Sequence, residues 1–368
     1  MYCWLRLKVG TGKSTLVKYI IAALNVDPGI DVAYVAFTGK AAEVLRHKGC
    51  ANATTAHKLL YKAKPMPDGK FRFIPRDTLE NPYKVIVVDE VSMLPLDLWN
   101  LLLSHKVYII ACGDPFQLPP ISKDTDNRIL EHPHVFLDEI MRQAKESEII
   151  RITMDIREGK ALECFSGNEV QVINKNDIVS GMYSWADQVI TATNKMRNDV
   201  NALMRQLYER DPEPQINDKV ICLRNCWEQL DDLGETALVN GTIGTITEIE
   251  KQYARYPIYG IPSVPILKLT IDTEYETFHN IIADYTSVKE GNKFLTPEQE
   301  YKIFINKRCP PAPIEFNYGY AITCHRAQGS QWSNVMVIEE RFPFDKIEHA
   351  RWLYTAATRA SSRLVLAR

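Results

Sequence analysis

The sequence predicts an α/β protein built on parallel sheets, with a β-rich insertion late in the chain. Three observations carry this. Continuous β-branched runs, clearest at Val85-Ile86-Val87-Val88, alternate with stretches of helical period, as central parallel strands alternate with crossover helices. Near the start, Gly10-Thr11-Gly12-Lys13-Ser14-Thr15 runs straight into a helical face made by Leu16, Val17, Ile20, Ile21 and Leu24. From Gln215 to Pro313 the pattern changes to short β runs broken by turns and prolines, which reads as a small antiparallel barrel or sandwich.

Taken in order, Val32 to Phe37 reads as a buried strand and Gly39 to Lys48 as a helix. Val85 to Val88 and Val107 to Cys112 are further strands, each closing on polar residues, which puts a site at the strands' carboxyl ends. Between them, 61–73 reads as a small basic and aromatic hairpin turning at Asp68-Gly69. Helices are expected from about Glu146 to Glu158 and from Lys195 to Glu209, with a strand at Gln188 to Thr193 before the second. Pro212 and Pro214 mark a boundary. Beyond the insertion the α/β pattern resumes at Ile314, with a helix through Ala321 to Gln328, a strand at Asn334 to Ile338, a helix over Lys346 to Thr358 and a last strand at Arg363 to Ala367.

The chain has 368 residues, 45% of them hydrophobic and 24% charged, as in an ordinary globular protein of two or three domains. With a net charge of −2, binding to a polyanion has to come from a local groove and not from a general positive field. The eight cysteines are scattered, and only Cys222 and Cys226 lie close together, with no histidines at ligand spacing. Reduced thiols in a cytosolic or similar compartment are the expectation. No apolar run reaches the length of a membrane span, so no membrane partner is expected.

Gly10, Thr11 and Gly12 form a loop of small residues whose backbone N–H groups can turn inward around a polyphosphate at a helix N-terminus. Lys13 then reaches the β- and γ-phosphates, Ser14 supplies a hydroxyl to Mg²⁺, and Thr15 completes the turn. Asp89-Glu90, at the end of the apolar strand, divides the remaining labour: Asp89 shares the Mg²⁺ with Ser14, and Glu90 positions and deprotonates a water. Gln117, in Gly113-Asp114-Pro115-Phe116-Gln117-Leu118-Pro119-Pro120, is placed to feel a γ-phosphate. ATP and Mg²⁺ are the implied cofactors.

These stretches fall in a familiar order together with Phe-Thr-Gly-Lys-Ala-Ala at 37–42, Thr-Thr-Ala-His-Lys-Leu-Leu at 54–60 and Asp-Glu-Val-Ser-Met at 89–93. Arg142-Gln143, Thr-Cys-His-Arg-Ala-Gln-Gly-Ser at 323–330 and Tyr-Thr-Ala-Ala-Thr-Arg at 354–359 complete the series. Over nearly its whole length the chain resembles superfamily 1 DNA helicases of the RecD-like, Dda-like branch. The resemblance implies two RecA-like domains clamping ATP, the first over 1–137 and the second over 138–214 and 314–368, with an SH3-like insertion at 215–313. Arg142 and Arg359 are then arginine fingers, and Gln328 and Gly329 lie at the nucleotide cleft. Phe37, Thr38, Thr55, His57, Thr323 and His325 match strand-contacting motifs, which hold phosphates and stack on bases without reading sequence.

By the same resemblance, the hairpin separates strands and movement is 5′ to 3′. The implied partners are single-stranded DNA and duplex junctions, with replication or recombination proteins also compatible, and the chain is expected to act as a monomer. Two features depart from the pattern: Leu7 stands where the phosphate loop commonly starts with glycine, and no base-sensing glutamine or extra helix precedes the loop. They leave room for a nucleic-acid-binding protein with a truncated or decayed ATPase. A translocase that does not separate strands, and RNA as the track, also stay open.

Overall fold

The continuous β-branched runs form strands buried on both faces. In the computed structural model, which describes residues 2–7, 13–66, 71–119, 133–137, 147–231, 237–306, 308–343 and 345–368, the strands Val32–Ala36 and Val85–Val88 are closed to solvent at every position. The polypeptide divides into two compact units, Met1–Leu60 with Arg76–Asp199 and Ala321–Arg368, and Tyr61–Pro75 with Val200–Tyr320.

The first unit holds two sheets. One has the order Ala53–Thr55, Val32–Ala36, Val85–Val88, Tyr108–Gly113, Tyr2–Leu7, Val135–Leu137, with every pairing parallel. Its core packs Val17 and Ile21 of the helix Lys13–Ala23 onto Val32, Val85, Val87 and Ile110. The other has the order Ala321–Thr323, Gln188–Thr191, Trp332–Ile338, Ala360–Ala367, Val170–Ile173, Phe165–Ser166, parallel except for its last pair. Strands whose neighbours come from distant parts of the chain need crossover helices, which is what the alternating pattern encodes.

Two sequence expectations need correction. Ala321 to Gln328 is not one helix. Ala321–Thr323 is an edge strand paired with Gln188–Thr191, and only Cys324–Ala327 is helical. A short apolar run fits either period, and here the open sheet edge decided. Leu7 does not occupy a turn either. It ends the strand Tyr2–Leu7 and pairs with Leu137, an extended position that suits leucine as well as glycine.

The second unit is a five-stranded antiparallel sheet, ordered Thr277–Asp284, Val264–Asp272, Ile243–Ala254, Lys219–Cys222, Phe316–Tyr318. Phe316–Tyr318 pairs into this sheet, so it runs past the expected boundary at 313. In Ile243–Ala254 the inward side chains are Ile246 and, after a register shift, Ile249, and the far half of the strand is exposed; Val220, Ile246, Leu267, Leu269, Ile271, Phe278 and Phe316 make the core. Two helices that the sequence reading missed complete the unit. Tyr285–Glu290 is capped by the buried Asp284, and Pro297–Ile305 opens with a capping box between Thr296 and Gln299 and a proline in its first turn. The hairpin strands Tyr61–Pro65 and Phe71–Pro75 pair as expected, and the turn 67–70 lies outside the described residues. No helix among the described residues is long and apolar enough to cross a membrane.

One ionic network pins the second unit. Asp218 is fully buried and accepts from Arg205 Nη2 at 3.2 Å, the Tyr320 hydroxyl at 2.9 Å and the Gln215 amide at 2.9 Å. Replacing Asp218 by alanine leaves the Arg205 guanidinium buried without a counter-charge, at a cost of about 3–5 kcal/mol. Hydrogen exchange should then accelerate in the strands Ile243–Ala254 and Val264–Asp272 and stay unchanged in Val85–Val88.

Candidate functional site

The site forms where the strands of the two parallel sheets end. The strand Val85–Val88 delivers Asp89 and Glu90. The Asp89 amide donates to the Val35 carbonyl, extending the ladder by one residue, and its carboxylate accepts from the Glu90 amide at 3.0 Å. Glu90 then takes a left-handed backbone, φ 50° and ψ 47°, which a non-glycine residue holds only at a cost of about 1–2 kcal/mol. From that turn its side chain meets Arg359, with Nη1 3.6 Å from Glu90 Oε1.

Arg359 follows the helix Lys346–Ala357 of the second sheet and is 4% exposed. Its guanidinium donates to the carbonyls of Thr355 at 3.1 Å and Ser330 at 3.3 Å and to the Thr358 hydroxyl at 3.1 Å. Gln117 is 3% exposed, in the turn after Tyr108–Gly113. Next to it, the Leu118 amide donates to Thr355 Oγ1 at 2.9 Å, and the Leu118 carbonyl accepts from Gln328 Nε2 at 3.1 Å. Thr355 therefore ties the Arg359 end of the site to the Gln117 end. The sequence reading assigned it no role, although it lies within the motif at 354–359.

Three oxygens in this constellation, Glu90 Oε2, Gln117 Oε1 and Gln328 Oε1, are buried and have no hydrogen-bond partner among the described residues. Unpaired buried acceptors are costly, and a cluster of them at strand ends fits a ligand that brings donors, such as a water or a hydrated cation. Asp89 and Glu90 are hard oxygen donors of the kind Mg²⁺ takes. Of the other residues singled out from the sequence, Gly10, Thr11, Gly12 and Arg142 lie outside the described residues, and Lys13, Ser14 and Thr15 are described only as backbone opening the helix Lys13–Ala23.

The six expected strand contacts also sit at carboxyl ends. Phe37 and Thr38 follow Val32–Ala36, and the neighbouring strand ends at Thr55, opposite Ala36. Thr38 caps the helix Gly39–His47, accepting from the Ala41 amide at 3.2 Å, and Thr55 Oγ1 accepts from the Lys58 amide at 3.2 Å. The rings of Phe37 and His57 meet with centroids 6.0 Å apart. On the second sheet Thr323 occupies the N-cap position of the short helix Cys324–Ala327, which contains His325. Burial lowers the pKa of both histidines from the usual 6.5, so both are neutral at physiological pH. Thr55 and Thr323 are buried; the Thr55 hydroxyl holds the turn that carries His57, whereas Thr323 sits at the helix N-cap without a side-chain cap bond. Gly329 brings the two groups together. It has φ +81°, and a Cβ built there would lie 2.6 Å from Ala41 Cβ and 3.4 Å from Thr38 Oγ1.

A family profile described as "AAA domain" matches residues 3–182, and one described as "UvrD-like helicase C-terminal domain" matches residues 318–367. The ATP-dependent RecD2 DNA helicase of Deinococcus radiodurans is 27% identical over 380 residues, which cover 96% of this chain and 45% of that protein. The ATP-dependent DNA helicase dda of Enterobacteria phage T4 is 24% identical over 398 residues, 95% of this chain and 90% of that one. The chain thus spans less than half of the first relative and most of the second. Among solved structures, Bacteroides Pif1 bound to ssDNA superposes with a TM-score of 0.55 at 18% identity, covering 100% of this chain and 88% of that one. Candida albicans Pif1 helicase gives 0.53 at 17% identity, covering 100% and 91%. Likeness at this level shows the fold, two RecA-like parallel sheets.

Gly329→Ala should destabilise the first unit by about 1–2 kcal/mol from its backbone conformation alone, with the Ala41 clash added. Adding Ala41→Gly should recover the clash and leave the conformational part, a split that thermal unfolding of the single and double variants measures. For His57, whose folded pKa is depressed, the stabilising contribution is complete above about 6.5 and is lost as pH falls, because the unfolded chain binds the proton first. His57→Gln should therefore flatten the decline in urea midpoint between about pH 7 and pH 5.

Proposed function

We propose that the chain is a superfamily 1 helicase of the RecD-like branch, an ATP-dependent DNA helicase moving 5′ to 3′ along single-stranded DNA, a reading that the matches to an AAA domain profile and to RecD2 and dda support. The observation that carries the reading is the pairing of partly buried Glu90 with buried Arg359. It joins an acidic residue at the end of one parallel sheet to a cation from the other, with the unpartnered oxygens of Glu90, Gln117 and Gln328 beside it. In this reading Glu90 takes the proton of the attacking water and Gln117 orients that water against the γ-phosphate. Arg359 offsets the charge that develops during transfer. Arg142 is the second cation in this scheme, and Gly10, Thr11, Gly12, Lys13 and Thr15 cradle the phosphates. Asp89 and Ser14 would hold Mg²⁺, which supplies charge neutralisation at the phosphate oxygens.

Because Arg359 and Glu90 come from different sheets, hydrolysis depends on the sheets' mutual position. Gly329 against Thr38 and Ala41 links that position to the turns at the strand ends, where Phe37, His57 and His325 would hold DNA. Aromatic and neutral imidazole groups suit stacking and hydrogen bonding to a backbone, with no sequence readout. The two RecA-like domains are taken as 1–137 and 138–214 with 314–368. The antiparallel sheet corresponds to the SH3-like module, and the hairpin at 61–75 to the element that parts strands at a duplex junction. Work on DNA implies action inside the bacterial or phage-infected cell.

ATP hydrolysis with and without single-stranded DNA tests this. Turnover should rise with DNA, and Lys13→Ala, Glu90→Gln and Arg359→Ala should each lower kcat by about 100-fold or more while DNA still binds. Turnover in the unaltered chain no higher than in Lys13→Ala, with DNA binding intact, would make it a nucleic-acid-binding protein instead. DNA-stimulated turnover without displacement of a complementary strand would make it a translocase.

A further inference from the structure

Gln117 belongs by sequence to the first sheet, yet the turn that carries it is held by helices of the second. Asp114 starts the turn immediately after the strand Tyr108–Gly113 and is 1% exposed. Its carboxylate accepts from Arg157 Nη1 at 3.1 and 3.3 Å and from the Tyr354 hydroxyl, and it also accepts from the Phe116 amide of its own turn at 3.0 Å. Arg157 ends the helix Glu148–Arg157, and Tyr354 lies on the helix Lys346–Ala357. Both pack on Phe116. The guanidinium carbon of Arg157 lies 5.1 Å from the ring centroid, and Tyr354 meets the ring edge-on at 5.2 Å and 89°.

We propose that Arg157 and Tyr354 are positioning residues for ATP hydrolysis, which act through Asp114 to set the Gln117 amide at the reacting phosphate. The proposal rests on the ATP-hydrolysing reading of the site. Three features support it. Asp114 has donors on three sides, so its carboxylate has one satisfied orientation, and loss of a single donor leaves a buried charge under-bonded. Pro115 and Pro119 restrict the backbone on either side of Gln117, so a shift at Asp114 passes along the turn with little slack. Tyr354 remains a donor across the working pH range, because burial and the neighbouring Asp114 both raise its pKa. The turn therefore follows the second sheet, and Gln117 is aimed only when that sheet is in place.

A double-variant cycle with Tyr354→Phe and Gln117→Ala tests this, with kcat and KM for ATP measured at saturating single-stranded DNA. Phenylalanine keeps the edge-on contact with Phe116 and removes only the hydroxyl. Tyr354→Phe should lower kcat by roughly 10-fold with KM changed less than about twofold, the signature of an interaction that matters in the transition state. In the Gln117→Ala background the same change should cost almost nothing further, because the residue acts through Gln117. A merely structural role predicts a lower unfolding temperature and effects on kcat that multiply across the two backgrounds, and that result would overturn the proposal. So would a KM effect with kcat unchanged, or a Gln117→Ala variant with unaltered turnover. An unaltered chain with no DNA-stimulated hydrolysis would overturn the functional reading and the proposal together, whereas normal stimulation with multiplying effects overturns the proposal alone.

Discussion

Glu90 and Asp114, at the carboxyl ends of neighbouring strands in one sheet, each face an arginine that the other sheet's helices deliver. A carboxylate taken out of water is tolerable only with a cation and further donors close by. Among the described residues neither acid finds its cation within its own sheet, so the pairing of Glu90 with Arg359 and of Asp114 with Arg157 makes the mutual placement of the two sheets an electrostatic requirement of the first. The bonds that Leu118 donates to Thr355 and accepts from Gln328 are consistent with it, since they join the same two sets of elements. An enzyme that hydrolyses a nucleotide in such a cleft has its chemistry conditional on sheet placement from the outset.

The two acids differ in how completely they are satisfied. Asp114 has donors for its carboxylate from three residues and sits in a close-packed aromatic setting. Glu90 has an unpartnered oxygen, a left-handed backbone and a longer ion pair. Gln117 and Gln328 likewise have amide oxygens without donors. Strain and unmet hydrogen bonds lower the stability of the fold, and they gather where a ligand supplies what is missing. Asp114 has the satisfied surroundings of a scaffold residue and Glu90 the unmet ones that the proposed reactive role calls for, although both are acids at the ends of apolar strands.

The antiparallel unit is organised on other terms. Its sheet has one solvated face, its core comes from alternate residues, and its buried ion pair lies wholly within it, between Arg205 and Asp218. The same chemistry that joins two sheets in the first unit here closes a single unit on itself. Its stability thus has a source separate from the pairing of Glu90 with Arg359.

By itself the sequence determined most of the parallel architecture, because a strand buried on both faces has to be apolar throughout. Val85 to Val88 was legible for that reason, and Asp89 and Glu90 stood out as the first polar residues after it. The helices of the antiparallel unit and the strand Ala321–Thr323 were not legible. Short segments carry too few residues to separate one period from another, and their state was decided by an open sheet edge or a local cap. Gln117 and Arg359 could be singled out from their motifs, but the partners that aim them could not. Asp114, Arg157, Tyr354 and Thr355 acquire their meaning from contacts between residues as far as 240 positions apart, and nothing local encodes such a contact. Only the tertiary structure decided which arginine answers which acid, because that depends on where two sheets of distant sequence place their strand ends.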